Sequence, residues 1–227
     1  MNYCGQIRVT NPSLIEHWAI ESRTLTNAMN KPILLFLALG LLPFNASAAG
    51  WRALWDGKTL AGWHIIGKGE WRIQDGALHA TNVKAEKEFG HLVSDRDYAN
   101  FTVRLKYKAI KGNSGLYFRV AEQGFSGVTG FQAEIDPDKD AGGLYETNGR
   151  SWVSQPKPED VAKWYKPGVW NEMSVTARGG DILVTVNGMT SAVLKNDPGR
   201  PTGKFALQVH GGQDVEVWFK DIYIQEH

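Results

Sequence analysis

Phe101-Thr-Val-Arg-Leu-Lys-Tyr107 alternates without a break, with Phe101, Val103, Leu105 and Tyr107 on one side and Thr102, Arg104 and Lys106 on the other. A period of two residues is the signature of a strand with one face in a core and the other in water. The same period recurs along the chain. Met173, Val175 and Ala177 alternate, Gly179-Gly180 turns the chain, and Ile182, Val184 and Val186 alternate back, which predicts a hairpin from Asn171 to Asn187. Val215, Val217 and Phe219 make one face of a final strand ending near Ile224. Asp75-Gly76 and Asn187-Gly188 are tight-turn dipeptides between further β-rich segments. After residue 50 the helical signal is confined to Pro158-Glu-Asp-Val-Ala-Lys-Trp-Tyr165, where a proline near the start and acids in the first turn favour a helix. This segment lies in a long connection, 149–168, with three large aromatics, Trp152, Trp164 and Tyr165, that either pin the loop to the sheet or stack on a sugar. About a dozen short strands with turns between them predict an all-β sandwich or barrel. No segment repeats with a 20–50-residue period, which argues against a propeller.

Three strands carry polar groups on one face. In Leu116-Tyr-Phe-Arg-Val120 the residues Leu116, Phe118 and Val120 face one way, and Tyr117 and Arg119 the other. In Phe131-Gln-Ala-Glu-Ile-Asp136 the apolar set is Phe131, Ala133 and Ile135, against Gln132, Glu134 and Asp136. In Phe205-Ala-Leu-Gln-Val-His210 it is Phe205, Leu207 and Val209, against Gln208 and His210. Each apolar set must enter the core, so each polar set lies on the opposite surface. On a curved sheet the second set lines a groove of amides, carboxylates, one guanidinium and one imidazole. These groups make directional hydrogen bonds to hydroxyls. Glu134, Asp136 and His210 are also candidate ligands for a divalent cation, and the loop Asp136-Pro-Asp-Lys-Asp140 offers further oxygens. That loop lacks the glycine and terminal glutamate of an EF-hand.

Lys+Arg 25 against Asp+Glu 24 in 227 residues leaves a net charge of +1, which argues against binding nucleic acid or an anionic membrane by bulk charge. The single cysteine, Cys4, excludes an intrachain disulfide and a cysteine-built zinc site. Gly-x-Ser-x-Gly and Gly-rich phosphate loops are absent, so a serine nucleophile and nucleotide use are not expected. At the N-terminal end, Lys31 precedes the apolar run Ile33–Leu42, and Ala46-Ser47-Ala48 follows. This is the three-part pattern of a secretory signal peptide over 29–48, with an apolar run too short to span a bilayer. Residues 1–28 read as an upstream artefact or a disordered stretch, and 49–227 as a single exported domain, periplasmic or secreted. No lipidation cysteine follows the cleavage point, so no membrane attachment is expected after cleavage.

A set of strings occurs in fixed order: Leu54-Trp-Asp-Gly-Lys-Thr-Leu-Ala-Gly-Trp63, Trp71-Arg-Ile-Gln-Asp-Gly-Ala-Leu78, Gly112-Asn-Ser-Gly-Leu-Tyr-Phe-Arg119, Phe131-Gln-Ala-Glu-Ile-Asp136, Gly143-Leu-Tyr145, Trp170-Asn171, Val186-Asn-Gly188 and Leu207-Gln-Val-His210. The set resembles the 3-keto-disaccharide hydrolase domain family from about Gly50 to the C-terminus. The resemblance implies a concanavalin A-like jelly roll, two curved antiparallel sheets with the site on the concave face. It also implies an exported hydrolase for glycosides oxidised to a ketone at C3. Carried over residue by residue, it implies site residues at Arg119, Glu134, Asp136 and His210, with Gln132, Tyr145 and Gln208 near them. Tyr117, Trp152 and Trp164 complete the candidate substrate-binding set.

The chemistry suits these groups. A C3 ketone acidifies the hydrogen on C2, so a base can form an enediolate and the C1 substituent can leave. Glu134 or His210 is the candidate base, and His210 or Asp136 the candidate acid. Arg119 is the candidate for the charge that develops on the C3 oxygen. No cofactor is required by this route, and a divalent cation is the candidate if one is used. Two other readings fit the same residues. A retaining β-glucanase-like glycosidase fits Glu134-Ile-Asp136-Pro-Asp138, although Pro137 interrupts the strand. A lectin-like domain that binds carbohydrate without cleaving it fits the amides and tryptophans.

Overall fold

The alternating segments fold as strands because only that geometry puts every second side chain in the core. The computed structural model describes residues 50–227, and the upstream stretch and signal peptide read from the sequence lie outside the described residues. The elements are β1 (Arg52–Ala53), β2 (Trp63–Gly67), β3 (Glu70–Gln74), β4 (Ala77–Asn82), β5 (Gly90–Ser94), β6 (Phe101–Lys111), β7 (Ser114–Gln123), β8 (Gly127–Ile135), β9 (Leu144–Thr147), β10 (Ser151–Ser154), α1 (Pro158–Trp164), β11 (Asn171–Arg178), β12 (Asp181–Val186), β13 (Met189–Leu194), β14 (Lys204–Val209) and β15 (Val215–Glu226). One sheet runs β13-β12-β11-β6-β15-β4-β3, with β1 also paired to β15, and the other runs β10-β9-β8-β7-β14-β5-β2. The strand pairings are antiparallel in both sheets.

The core lies between the two sheets. β6 supplies Phe101, Val103, Leu105 and Tyr107, and the facing sheet supplies Leu116, Phe118, Phe131, Ala133, Ile135, Phe205, Leu207 and Val209. Phe101 packs edge-on against Phe205 at 4.7 Å and Phe118 at 6.1 Å between ring centroids, which ties the sheets together. Burying each such ring contributes roughly 1.5–3 kcal/mol. The turns follow the sequence signals. Gln74 pairs with Ala77 and Val186 with Met189, and the dipeptides between them, Asp75-Gly76 and Asn187-Gly188, have positive φ at both positions. That is the hairpin geometry for which Asn-Gly and Asp-Gly are suited.

The predicted helix forms as α1, with a proline in its first turn and Val161 and Trp164 buried. Trp164 packs in the sandwich core and donates its indole N–H to the Ala141 carbonyl at 2.8 Å. The candidate sugar-stacking role of Trp164 is therefore corrected: its ring faces the interior and anchors α1.

Strand parity holds along β8 and β14 and breaks in β7. The register with β8 shifts between Phe118 and Ala121, and Arg119 sits in the bulge with φ of 51°. One extra residue reverses the facing of the residues beyond it. Val120, expected in the core, instead joins Val93, Tyr117, Val128 and Ala206 in a separate cluster on the other face of the sheet. The neighbouring segments make room. A Cβ on Gly130 would lie 2.7 Å from the Arg119 carbonyl oxygen, and one on Gly203 2.5 Å from its carbonyl carbon.

Candidate functional site

The outer face of the β10-β9-β8-β7-β14-β5-β2 sheet carries a cleft of about 530 Å³. Its floor is built by direct cross-strand pairing: Trp152 opposite Tyr145, Tyr145 opposite Gln132, and Gln132 opposite Tyr117. Trp152 and Tyr145 meet edge to face at 5.2 Å. Glu134 lies two residues beyond Gln132, at the end of β8, and Asp136 two further. Gln208 and His210 enter from β14 and the residue just after it. Eight of the ten residues proposed for the site from the sequence thus line one cleft: Glu134, Asp136, His210, Gln132, Gln208, Tyr145, Tyr117 and Trp152.

Arg119 does not. It is 1% exposed, and its guanidinium donates to the carbonyls of Ala99 (2.7 and 3.0 Å), Gly179 (2.8 Å) and Arg200 (3.3 Å). These carbonyls belong to loops and turns beside the sandwich core. The bulge turns Arg119 away from the cleft, so the expected role for it at the C3 oxygen is corrected to a structural one. The metal expectation also changes. Among the described residues no group of three or more His, Cys, Asp or Glu side chains is placed to hold an ion, so Glu134, Asp136 and His210 share the cleft without converging on one point.

The cleft also has residues that the sequence reading did not assign. Asn113, in the β6–β7 turn, donates from Nδ2 to Glu134 Oε1 at 2.5 Å. Phe89 packs against His210 at 4.4 Å. Asp138, Lys139 and Asp140 line the rim, and among the described residues Lys139 is the one lysine or arginine on the cleft wall. Asn113 and Lys139 lie in a turn and a loop, where no period marks which side chains converge. His91, directly opposite Gln208, was legible by parity, since Leu92 beside it faces the core.

Glu134 is 4% exposed, and this burial is the main reason its proton affinity rises, to a pKa of about 8. The Asn113 hydrogen bond opposes the rise, and the charges of Asp136 and Asp140 add to it. Near neutrality Glu134 is therefore largely a neutral carboxylic acid. His210 is half-buried, and its Nδ1 lies 2.6 Å from the Gly211 carbonyl oxygen. A carbonyl only accepts, so Nδ1 carries a proton, and in the neutral imidazole Nε2 is the bare nitrogen.

Burial also depresses His91, to a pKa of about 4. These two shifts set the pH profile of stability. Glu134 contributes most below its ordinary value of 4.5, and that contribution is lost as pH rises through about 8. His91 contributes above its ordinary value of 6.5, and that is lost as pH falls through about 4. Maximal stability is expected near pH 5–6.5. Glu134→Gln should remove the alkaline loss, so its melting advantage over wild type should grow between pH 5 and pH 8. The gain should reach on the order of a few kcal/mol at one tenfold affinity change per ~1.4 kcal/mol. Thermal melts across pH check this, and a constant difference would contradict it.

Gly115 faces Glu134 across the β7–β8 pair. A Cβ there would sit 2.6 Å from both Cγ and Nε2 of Gln132, so the Gln132 side chain occupies the space that glycine leaves. Gly115→Ala is expected to displace that amide, cost roughly 1–3 kcal/mol by overpacking and weaken ligand binding. Melting and titration of the same variant would read both effects.

An antiparallel jelly-roll sandwich with a polar, carboxyl-bearing cleft on one sheet is the class that fold and site define. The chain belongs to the 3-keto-alpha-glucoside-1,2-lyase-like domain family, whose sequence model matches residues 50–225. Solved structures share the fold. A Parabacteroides distasonis ATCC 8503 protein provisionally described as a glycosyl hydrolase aligns with a TM-score of 0.60 at 22% identity, over 82% of this chain and 98% of its own. The carbohydrate binding module CBM66 from Bacillus subtilis aligns with a TM-score of 0.57 at 16% identity, over 73% of this chain and 96% of its own. A Bacillus subtilis protein with a galectin-like fold aligns with a TM-score of 0.57 at 13% identity, over 74% and 90%. No curated protein matches the chain in sequence. Among the described residues no helix is long and apolar enough to cross a membrane.

Proposed function

We propose that this protein is an exported carbohydrate-active enzyme that cleaves 3-keto-glycosides or 3-keto-disaccharides by elimination followed by hydration. The observation that carries this reading is the pairing, in one cleft, of a buried carboxyl held protonated with an imidazole whose neutral tautomer leaves Nε2 open. Family membership supports the substrate class. His210 Nε2 takes the proton from C2, and the electrons of that C–H bond move onto the C3 oxygen as an enediolate. The enediolate then reforms the C3 carbonyl, a C1=C2 double bond forms, and the C1–O bond breaks with its electron pair on the departing oxygen. Glu134 gives that oxygen its proton. Water adding across C1=C2 completes hydrolysis.

Export by way of the 29–48 signal peptide belongs to the same proposal. The test incubates pure protein with a panel of 3-keto-glycosides and follows free aglycone and the conjugated enone by ultraviolet absorption. Release from 3-keto forms and none from unoxidised sugars is expected. The Trp152–Tyr145 ring pair at the cleft favours a second reading, a sugar-binding domain without chemistry. Binding of native and 3-keto disaccharides with no product would support it, and cleavage of unoxidised β-glucan would support a retaining glycosidase instead.

A further inference from the structure

With Arg119 outside the cleft, the donor expected for the C3 oxygen is not in place, and the hydrogen-bond polarity of the cleft floor points to another. Gln132 Nε2 lies 3.3 Å from the Ser114 carbonyl oxygen and 3.4 Å from Gln208 Oε1. A backbone carbonyl only accepts, so the Gln132 amide must turn its nitrogen there, and Gln208 must receive it through oxygen. That fixes Gln208 Nε2 on the other side, where it donates to the Tyr117 hydroxyl oxygen at 2.8 Å. The second Gln208 N–H points toward Nε2 of His91 at 3.5 Å, an imidazole that burial keeps neutral and able to accept. Thr147 Oγ1 donates to the same Tyr117 oxygen at 3.2 Å. Tyr117 is 2% exposed and lines the cleft. Its oxygen accepts twice from protein, which leaves its own proton for whatever occupies the cleft.

We infer that Tyr117 donates its hydroxyl proton as a hydrogen bond to the C3 oxygen of the substrate, and that Gln132 and Gln208 are positioning residues that hold it in the donating sense. The inference rests on the elimination reading above. The bond to C3 oxygen is weak in the ketone and strengthens as the enediolate takes up negative charge, which is how a fixed donor lowers a barrier. No covalent bond to Tyr117 forms, and its proton stays on the phenol, whose acidity burial suppresses further.

The experiment follows exchange of the C2 hydrogen of a 3-keto-glucoside for solvent deuterium by NMR, together with turnover. Tyr117→Phe keeps the ring and removes the donor. It should slow C2 exchange by about 10²–10³-fold while KM moves by less than about threefold. Gln208→Glu is near-isosteric but puts an acceptor where the amide donated, so the Tyr117 proton should turn to the carboxylate and exchange should fall by a comparable factor. Wild-type exchange in Tyr117→Phe overturns the inference while the elimination reading stands. Wild-type exchange in Gln208→Glu overturns the positioning role. Absence of exchange and of turnover in the unmodified protein on every 3-keto-glycoside overturns both the reading and the inference.

Discussion

Glu134→Gln and His210→Ala should each slow cleavage of a 3-keto-glucoside by about 10²–10⁴-fold, the usual worth of a positioned acid or base, and they should fail at different steps. Removing His210 takes away the bare Nε2, so C2 proton exchange and product release should fall together. Gln at 134 still occupies the site and still meets Asn113, but it has no proton to give. C2 exchange should survive while aglycone release slows. An aryl aglycone that departs readily as an anion needs little protonation, so it should recover much of the Glu134→Gln loss and none of the His210→Ala loss. The pH profile gives a second check. Wild-type kcat/KM should fall as pH rises through about 8, where the buried carboxyl ionises, and Glu134→Gln should flatten that limb. If both variants turn over like wild type, the reacting groups lie outside this cleft.

Arg119→Leu should unfold the domain more readily and leave the cleft chemistry nearly intact. Its guanidinium satisfies carbonyls of Ala99, Gly179 and Arg200, drawn from three separate connections, and Leu can satisfy none of them. Buried acceptors left without donors cost about 1–3 kcal/mol each, so a loss of roughly 3–5 kcal/mol is expected. For a domain of this size that lowers Tm by roughly 10 °C. Measured well below Tm, kcat/KM should stay within about threefold of wild type. A variant that melts like wild type but loses turnover would return Arg119 to the reaction.

The contrast between Arg119 and Glu134 shows where parity can be read and where it fails. Counting residues along a strand assigns both to one wall. Counting works on β8 and β14, where Phe131, Ala133 and Ile135, and Phe205, Leu207 and Val209, all enter the core. It fails on β7 because the bulge at Arg119 is a property of the pairing between strands. The glycines that admit it, Gly130 and Gly203, lie on segments separated from it in sequence. Trp164 fails for a related reason. A short helix exposes one face and buries another, and which face is buried depends on the sheet beneath it.

Alternation, turn dipeptides and the proline-started helix are written in the chain, because each rests on local backbone geometry and on which side chains avoid water. The donor sense of Tyr117 and the neutral state of Glu134 arise only once the chain has folded. The first depends on partners such as Ser114 and Gln208, which the fold brings within hydrogen-bond reach, and the second on desolvation and on the nearby charges of Asp136 and Asp140. Local pattern can say which residues share a face; only packing across strands sets their protonation and the direction of their hydrogen bonds.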